Sequence, residues 1–381
     1  MKMKVNEKRQ SGIELLRIIL MIQIVFLHIS DYGGYEEAAM TIGGITKAIY
    51  LGMWLLCRCP VPLMILLTGY FMADREITLR KMAGKWIPVH NTMWFYAITI
   101  TFLCGLAVIF KVPLKGLPEL TKVEYITAFF PFLNRTWFFM TNYLLVLFLA
   151  PFVNIVLCRL DKKQYFTLVA GLFFLLTVWT SLTRIDGINE IISLKKVVVN
   201  ESGKSLYMFL FLYILGGYIR KHIPERSCEE SSGKSSLRRA ADWKWLIIFL
   251  GLWFVNVLAA GYVSWYKPIY GQSDNPIVIL QCVTLVLFFR SVHFYSPIIN
   301  RVSRNNIGVY LIHEHYIMRN IIWASFPFLK TAAFYETPAY IFIIWGICLA
   351  IYLVCNLIED MRIQLFTWIN KKTGKSKFFN Y

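Results

Sequence analysis

Ten runs of about 20 mostly apolar residues, each long enough to cross a hydrocarbon core of about 30 Å as a helix, constrain this chain more than any other feature. They fall at 13–31, 47–73, 86–110, 137–158, 164–183, 205–221, 243–265, 276–292, 307–329 and 338–358. Lipid offers no hydrogen bonds to a backbone, so a chain with this pattern is restricted to helices. The expectation is an all-α integral membrane protein of about ten transmembrane helices, forming a single membrane domain over residues 1–381. Composition agrees: only 16% of residues are charged and 57% are hydrophobic, whereas a soluble domain carries about 25% charged residues to cover its surface.

A net charge of +18 would suggest nucleic acid in a soluble protein. In a membrane protein its distribution carries the meaning, because cytoplasmic loops collect Lys and Arg. With the N-terminus inside, segments 1–12, 74–85, 159–163, 220–244, 290–304 and 359–381 are cytoplasmic and hold 26 of the 40 Lys and Arg. The outer segments 31–47, 111–136, 184–204, 266–275 and 330–337 hold 11, and only Arg17, Arg58 and Arg319 fall within spans. The pattern predicts a multi-pass protein of the plasma membrane with both termini cytoplasmic, whose partner is membrane lipid rather than nucleic acid.

The N-terminus has basic residues ahead of an apolar run, as a signal peptide does. No small-x-small cleavage site follows, and Glu14, Arg17 and His28 interrupt the run, so it reads as a retained first span. The eight cysteines lie mostly within apolar runs without framework or metal spacing and read as packing residues. Residues 222–242 are polar, Ser-rich and basic, as in a mobile cytoplasmic loop. The outer segment 184–204 is expected to lie along the membrane surface. No internal repeat and no appended soluble domain is evident.

Chemistry concentrates in the first span. Arg17 and His28 are eleven residues apart, close to three helical turns, so they share a face. Glu14 lies one turn before Arg17 and can pair with it. Asp31 follows His28 by three residues, placed to orient the imidazole if the helix continues. Ionisable groups in a span cost several kcal/mol unless they face the interior, a partner or water. The stripe therefore describes either a polar interior path or a structural Glu–Arg pair with a histidine at the outer interface; spacing alone favours neither.

Other positions invite the same comparison. Arg58 precedes Pro60 and Pro62 within the second span, a candidate for anion binding or oxyanion stabilisation, or for a structural role near the outer interface. Gly69 and Tyr70 fit close helix packing better than chemistry. Trp137 opens the fourth span at the outer surface, where aromatics concentrate in any membrane protein and where an acceptor sugar would stack. Arg80, Lys81 and Lys85 are explained by the inner-side charge bias. His313, Glu314 and His315 lack the four-residue spacing of paired zinc ligands on a helix, so no metal is expected.

Five segments, in order, resemble the membrane-bound acyltransferase 3 family: SGIELLRIILMIQIVFLH at the first span, VPLMILLTGYFM at 61–72, RTWFFMTNYLLVLFLAPFVN at 135–154, YMFLFLYILGGYIRK at 207–221 and NNIGVYLIHEH at 305–315. Glu14 stands where many members have Asp, and Thr68 replaces the usual Ser; both keep the relevant group. The resemblance implies transfer of an acyl group, usually acetyl, from cytoplasmic acyl-CoA as co-substrate to a hydroxyl of a glycan or glycolipid, with no bound cofactor. By position it makes His28 the catalytic base and Arg17 its companion, and it places Tyr310 and His313 near the cytoplasmic face as donor-binding candidates.

An imidazole base suits a sugar hydroxyl, which is a poor nucleophile until its proton is taken. Arg17, about 16 Å from His28 along the axis, is too distant to serve the oxyanion at that centre and is expected to hold the donor or the Glu14 pair. The expected activity is O-acetylation of surface polysaccharide or its lipid-linked precursor; a transporter of glycans or lipid-linked sugars is the alternative. Members of the family with an extra soluble SGNH-type domain complete transfer outside. That domain is not seen in these residues, so a separate extracytoplasmic transferase is a possible partner.

Overall fold

Helix α1 (Ser11–Gly33) is the axis of the computed structural model, which describes residues 10–73, 77–134, 136–185, 187–188, 201–224 and 242–373. After it come α2 (Tyr35–Ile42), α3 (Gly44–Leu56), α4 (Pro60–Met72), α5 (Leu79–Ile109), the short α6 (Lys122–Thr127) and α7 (Phe138–Arg159). Then follow α8 (Lys162–Leu182, with a π-turn at Phe174–Trp179), α9 (Leu206–His222), α10 (Trp243–Tyr262) and α11 (Pro276–Arg290). Helices α12 (Pro297–Arg304), α13 (Asn306–His313), α14 (Tyr316–Ala324) and α15 (Tyr340–Thr373) complete the chain. No strand occurs among the described residues.

Seven helical segments among the described residues are long and apolar enough to cross a membrane: α1, the α3–α4 pair, α5, α7, α8, α10 and α15. The expected spans at 205–221, 276–292 and 307–329 take other forms. Helix α9 has 17 residues and α11 has 15, and the third run is split into α13 and α14 of 8 and 9 residues. The second expected span is also broken, because Pro60 and Pro62 cannot continue the hydrogen bonds of α3 and instead start α4. The segments 222–242 and 184–204, expected as a cytoplasmic loop and a membrane-surface stretch, lie largely outside the described residues.

Helix α1 is surrounded by α4, α11, α12, α13 and α15, which explains why Ile13, Leu16, Leu20, Val25, Phe26 and Ile29 are buried, while Ile19 stays exposed. Its first turn is tied down by Ser11, whose hydroxyl donates to Asn300 Oδ1 at 3.0 Å and accepts from Ser296 N at 2.8 Å. By contrast, α10 leaves Ile247, Leu250, Phe254, Val255 and Leu258 exposed, as a helix facing lipid must. Small residues set the tightest contact: a Cβ at Gly69 of α4 would collide with the Tyr213 backbone of α9, and one at Gly216 with the Leu66 carbonyl. Close backbone approach replaces the missing hydrophobic drive between helices in lipid.

Candidate active site

The polar face of α1 divides into two groups at opposite ends. At the N-terminal end, Arg17 donates to Glu14 Oε1 at 3.0 Å, while Ser303 of α12 donates to Glu14 Oε2 at 2.6 Å. Asn306 of α13 donates to the Arg17 carbonyl at 2.8 Å and accepts from Tyr352 of α15 at 2.9 Å. These bonds satisfy the Glu14 carboxylate and lock α1 against α12, α13 and α15, leaving the Arg17 guanidinium partly exposed.

A cavity of about 270 Å³ begins at this group. Its polar mouth is formed by Glu14, Arg17, Ser303, Arg304 and Asn306. Its middle is apolar, with Met21 and Ile24 of α1, Met64 of α4 and Met140 of α7. Thr68 and Tyr143 add polar edges, and Tyr310 and Phe139 line the end towards His313 and His28. The volume is just below the usual range of small-molecule sites, about 300–1,000 Å³, and the lining suits a slender amphipathic chain.

His28 lies one helical turn beyond Ile24, about 6 Å along α1. Its Nδ1 faces Glu314 Oε2 at 3.1 Å, and the second oxygen of that carboxylate is 3.4 Å from Arg319. The His28–Glu314 contact is at ion-pair distance without the alignment of a hydrogen bond; catalytic pairs commonly straighten only when substrate is present. A carboxylate at Nδ1 favours the proton there and leaves the Nε2 lone pair free, the tautomer that a general base needs. The His313 ring is 5.1 Å from that of His28, and its Nδ1 donates to the Val309 carbonyl at 2.6 Å. A carbonyl only accepts, so His313 also carries its proton on Nδ1. Tyr32 stacks under Arg319, whose guanidinium is 4.1 Å from the ring. Tyr32 and Asp31 are exposed beyond His28.

The break between α13 and α14 builds this arrangement. Helix α13 stops at His313, and His315 caps α14 by accepting from Ile317 N at 3.3 Å. Glu314 sits in the corner and is turned towards α1. Irregular backbone inside a membrane is tolerated only where it is buried in protein or lines a cavity.

Several expectations change. The carboxylate at His28 is Glu314, whereas Asp31 is placed to act on Arg58 and Lys204. His313 is not at the Arg17 end: Asn306 is level with Arg17, and α13 then rises about 10 Å to bring His313 beside His28. Trp137 is not an exposed platform. It is 1% exposed, edge-on to His315 at 5.3 Å, and offers no face to a sugar. Arg58 stacks on Trp54 at 4.5 Å in the turn between α3 and α4 and is not among the residues lining the cavity.

Tyr310 does line the cavity, at its end towards His313. Glu314 and Arg319 were visible as charges in an apolar run, but nothing local in the sequence pointed them at His28. The partnership is made by tertiary packing.

The sequence model of a family described as an acyltransferase domain matches residues 10–360. No curated protein and no solved structure matches the chain.

Proposed function

The chain belongs to the membrane acyltransferase 3 family, and from that premise we propose that it is an O-acetyltransferase carrying acetyl from cytoplasmic acetyl-CoA to a hydroxyl of a surface polysaccharide or lipid-linked glycan. That the chain is an acyltransferase follows from the family; donor, acceptor and orientation are our reading. In it the protein crosses the plasma membrane ten times, with α9, α11 and the broken α13–α14 completing the set and both termini cytoplasmic.

One observation carries this reading: a cavity with a polar, cationic mouth at Arg17 and Arg304 and an apolar middle ends one turn short of a histidine backed by a carboxylate. The mouth suits phosphates, and the methionine-lined middle suits a pantetheine arm. The length of α1 from Arg17 to His28, about 16 Å, is then the distance that the arm must cover. The acceptor enters from the opposite side, past Tyr32, Asp31, Lys204 and Arg319. His28 Nε2 takes the hydroxyl proton during attack on the thioester, and the Glu314 carboxylate stabilises the imidazolium that forms.

The test is incubation of membranes containing the protein with radiolabelled acetyl-CoA and the crude surface glycan of the same cells. Label is expected in the glycan, released by mild alkali as an O-ester would be. Movement of unlabelled glycan across the membrane without incorporation would favour transport instead and overturn this reading.

A further inference from the structure

Acyl transfer through a thioester makes a negative charge on the carbonyl oxygen, and Arg17 is too far from His28 to meet it. We propose that the Tyr310 hydroxyl, with the first-turn amides of α7, forms the oxyanion-stabilising group. The proposal rests on the functional reading above and assigns a further catalytic residue to it.

Tyr310 is 5% exposed, its ring lies 6.1 Å from that of His313 and 5.7 Å from that of Phe139, and both Tyr310 and Phe139 line the cavity. Its hydroxyl makes no hydrogen bond of proper geometry, although the Phe139 amide is near enough to act on it. A buried donor without an acceptor costs roughly 1–3 kcal/mol. Such a cost is retained where the donor is needed for a group that arrives later.

The second observation comes from another element. Helix α7 has 22 residues, and Trp137, its N-cap, makes no side-chain capping bond. The first amides of a helix have no partner within it, and the aligned peptide dipoles place partial positive charge there. Phe139 and Met140, in that first turn, line the cavity together with Tyr310. A phenol and a helix N-terminus thus converge where a thioester threaded past Ile24 would present its carbonyl, one turn from His28.

The step balances. His28 Nε2 takes the proton of the acceptor hydroxyl as that oxygen bonds to the carbonyl carbon. The carbonyl π pair moves to its oxygen, which accepts hydrogen bonds from Tyr310 and the α7 amides. The pair returns, the C–S bond breaks, and the CoA thiolate leaves with the proton held on His28.

The experiment compares wild type with Tyr310→Phe, purified in lipid nanodiscs, using acetyl-CoA and the glycan fraction that wild type acetylates. Losing one oxyanion donor costs about 10²–10³-fold in kcat, and that loss is expected with KM for acetyl-CoA within about threefold. Binding of S-ethyl-CoA, which has no carbonyl, is expected to be unchanged. A kcat within threefold of wild type overturns the assignment. So does a loss of rate matched by weaker S-ethyl-CoA binding, which would make Tyr310 a donor-binding or packing residue. If Tyr310→Phe does not fold, 3-fluorotyrosine in place of Tyr310 keeps the shape and strengthens the donor; an unmoved kcat there overturns it equally. Wild type that acetylates nothing would overturn the underlying reading itself.

Discussion

His28→Ala is expected to lower acetyl transfer by roughly 10²–10⁴-fold, the span that a positioned general base contributes, while the protein still inserts and binds CoA. The imidazole is at the end of the cavity rather than in it, so its removal leaves the lining from Arg17 to Tyr310 intact. Truncation removes the ring contact with His313 and the Glu314 contact, and Glu314 keeps Arg319 as a partner. The check is kcat per folded molecule together with S-ethyl-CoA affinity. Activity within threefold of wild type would remove His28 from the mechanism. Equal loss of affinity and rate would make it a binding residue.

The second large effect is at Glu314. Glu314→Gln keeps the size of the side chain and removes its charge, so the tautomer that leaves Nε2 free is no longer enforced and the imidazolium is no longer stabilised. Where the same change is made behind the histidine of a serine protease triad, kcat falls by about 10⁴; second-layer partners elsewhere cost about 10–100-fold. The His28–Glu314 contact here is not fully aligned, which puts the expected loss between these, at roughly 10²–10³-fold. KM for acetyl-CoA should hardly move, because Glu314 lines no part of the cavity. Glu314→Asp, which keeps the charge and shortens the reach, should recover part of the rate. A loss that is the same in Gln and Asp variants would assign Glu314 to folding of the α13–α14 corner.

The helical character of the chain was legible because continuous apolar runs of about 20 residues fit spanning helices and not the short alternating strands of a barrel, and such runs survive as α1, α5, α7, α10 and α15. The Glu14–Arg17–His28 stripe was legible for a related reason: an α-helix turns eleven residues into nearly three turns, so their common face needs no tertiary information. Everything that required two distant segments to meet was hidden. Asp31 was the nearest carboxylate to His28 in sequence, but the exposed end of α1 carries it away, and Glu314 arrives from a corner between two helices. That corner falls in an apolar run that periodicity alone reads as continuous. Trp137 looked like an interfacial aromatic because its depth was inferred from the start of a span. Its burial against His315 comes from the packing of α7 on that same corner. The cavity drew on α1, α4, α7, α12 and α13 together; its α1 wall and Tyr310 were singled out in advance, but not that these elements enclose one space.

The central claim, that the cavity delivers an acyl-CoA to His28, can be tested without knowing the acceptor. Bromoacetyl-CoA places an alkylating carbon at the position of the acetyl group, and imidazole Nε2 displaces its bromide. Incubation with the purified protein, followed by peptide mass spectrometry, should find the carboxymethyl-CoA adduct, or its cleaved remnant, on His28. Excess acetyl-CoA should prevent it. Modification confined to other residues, or unaffected by acetyl-CoA, would contradict the account.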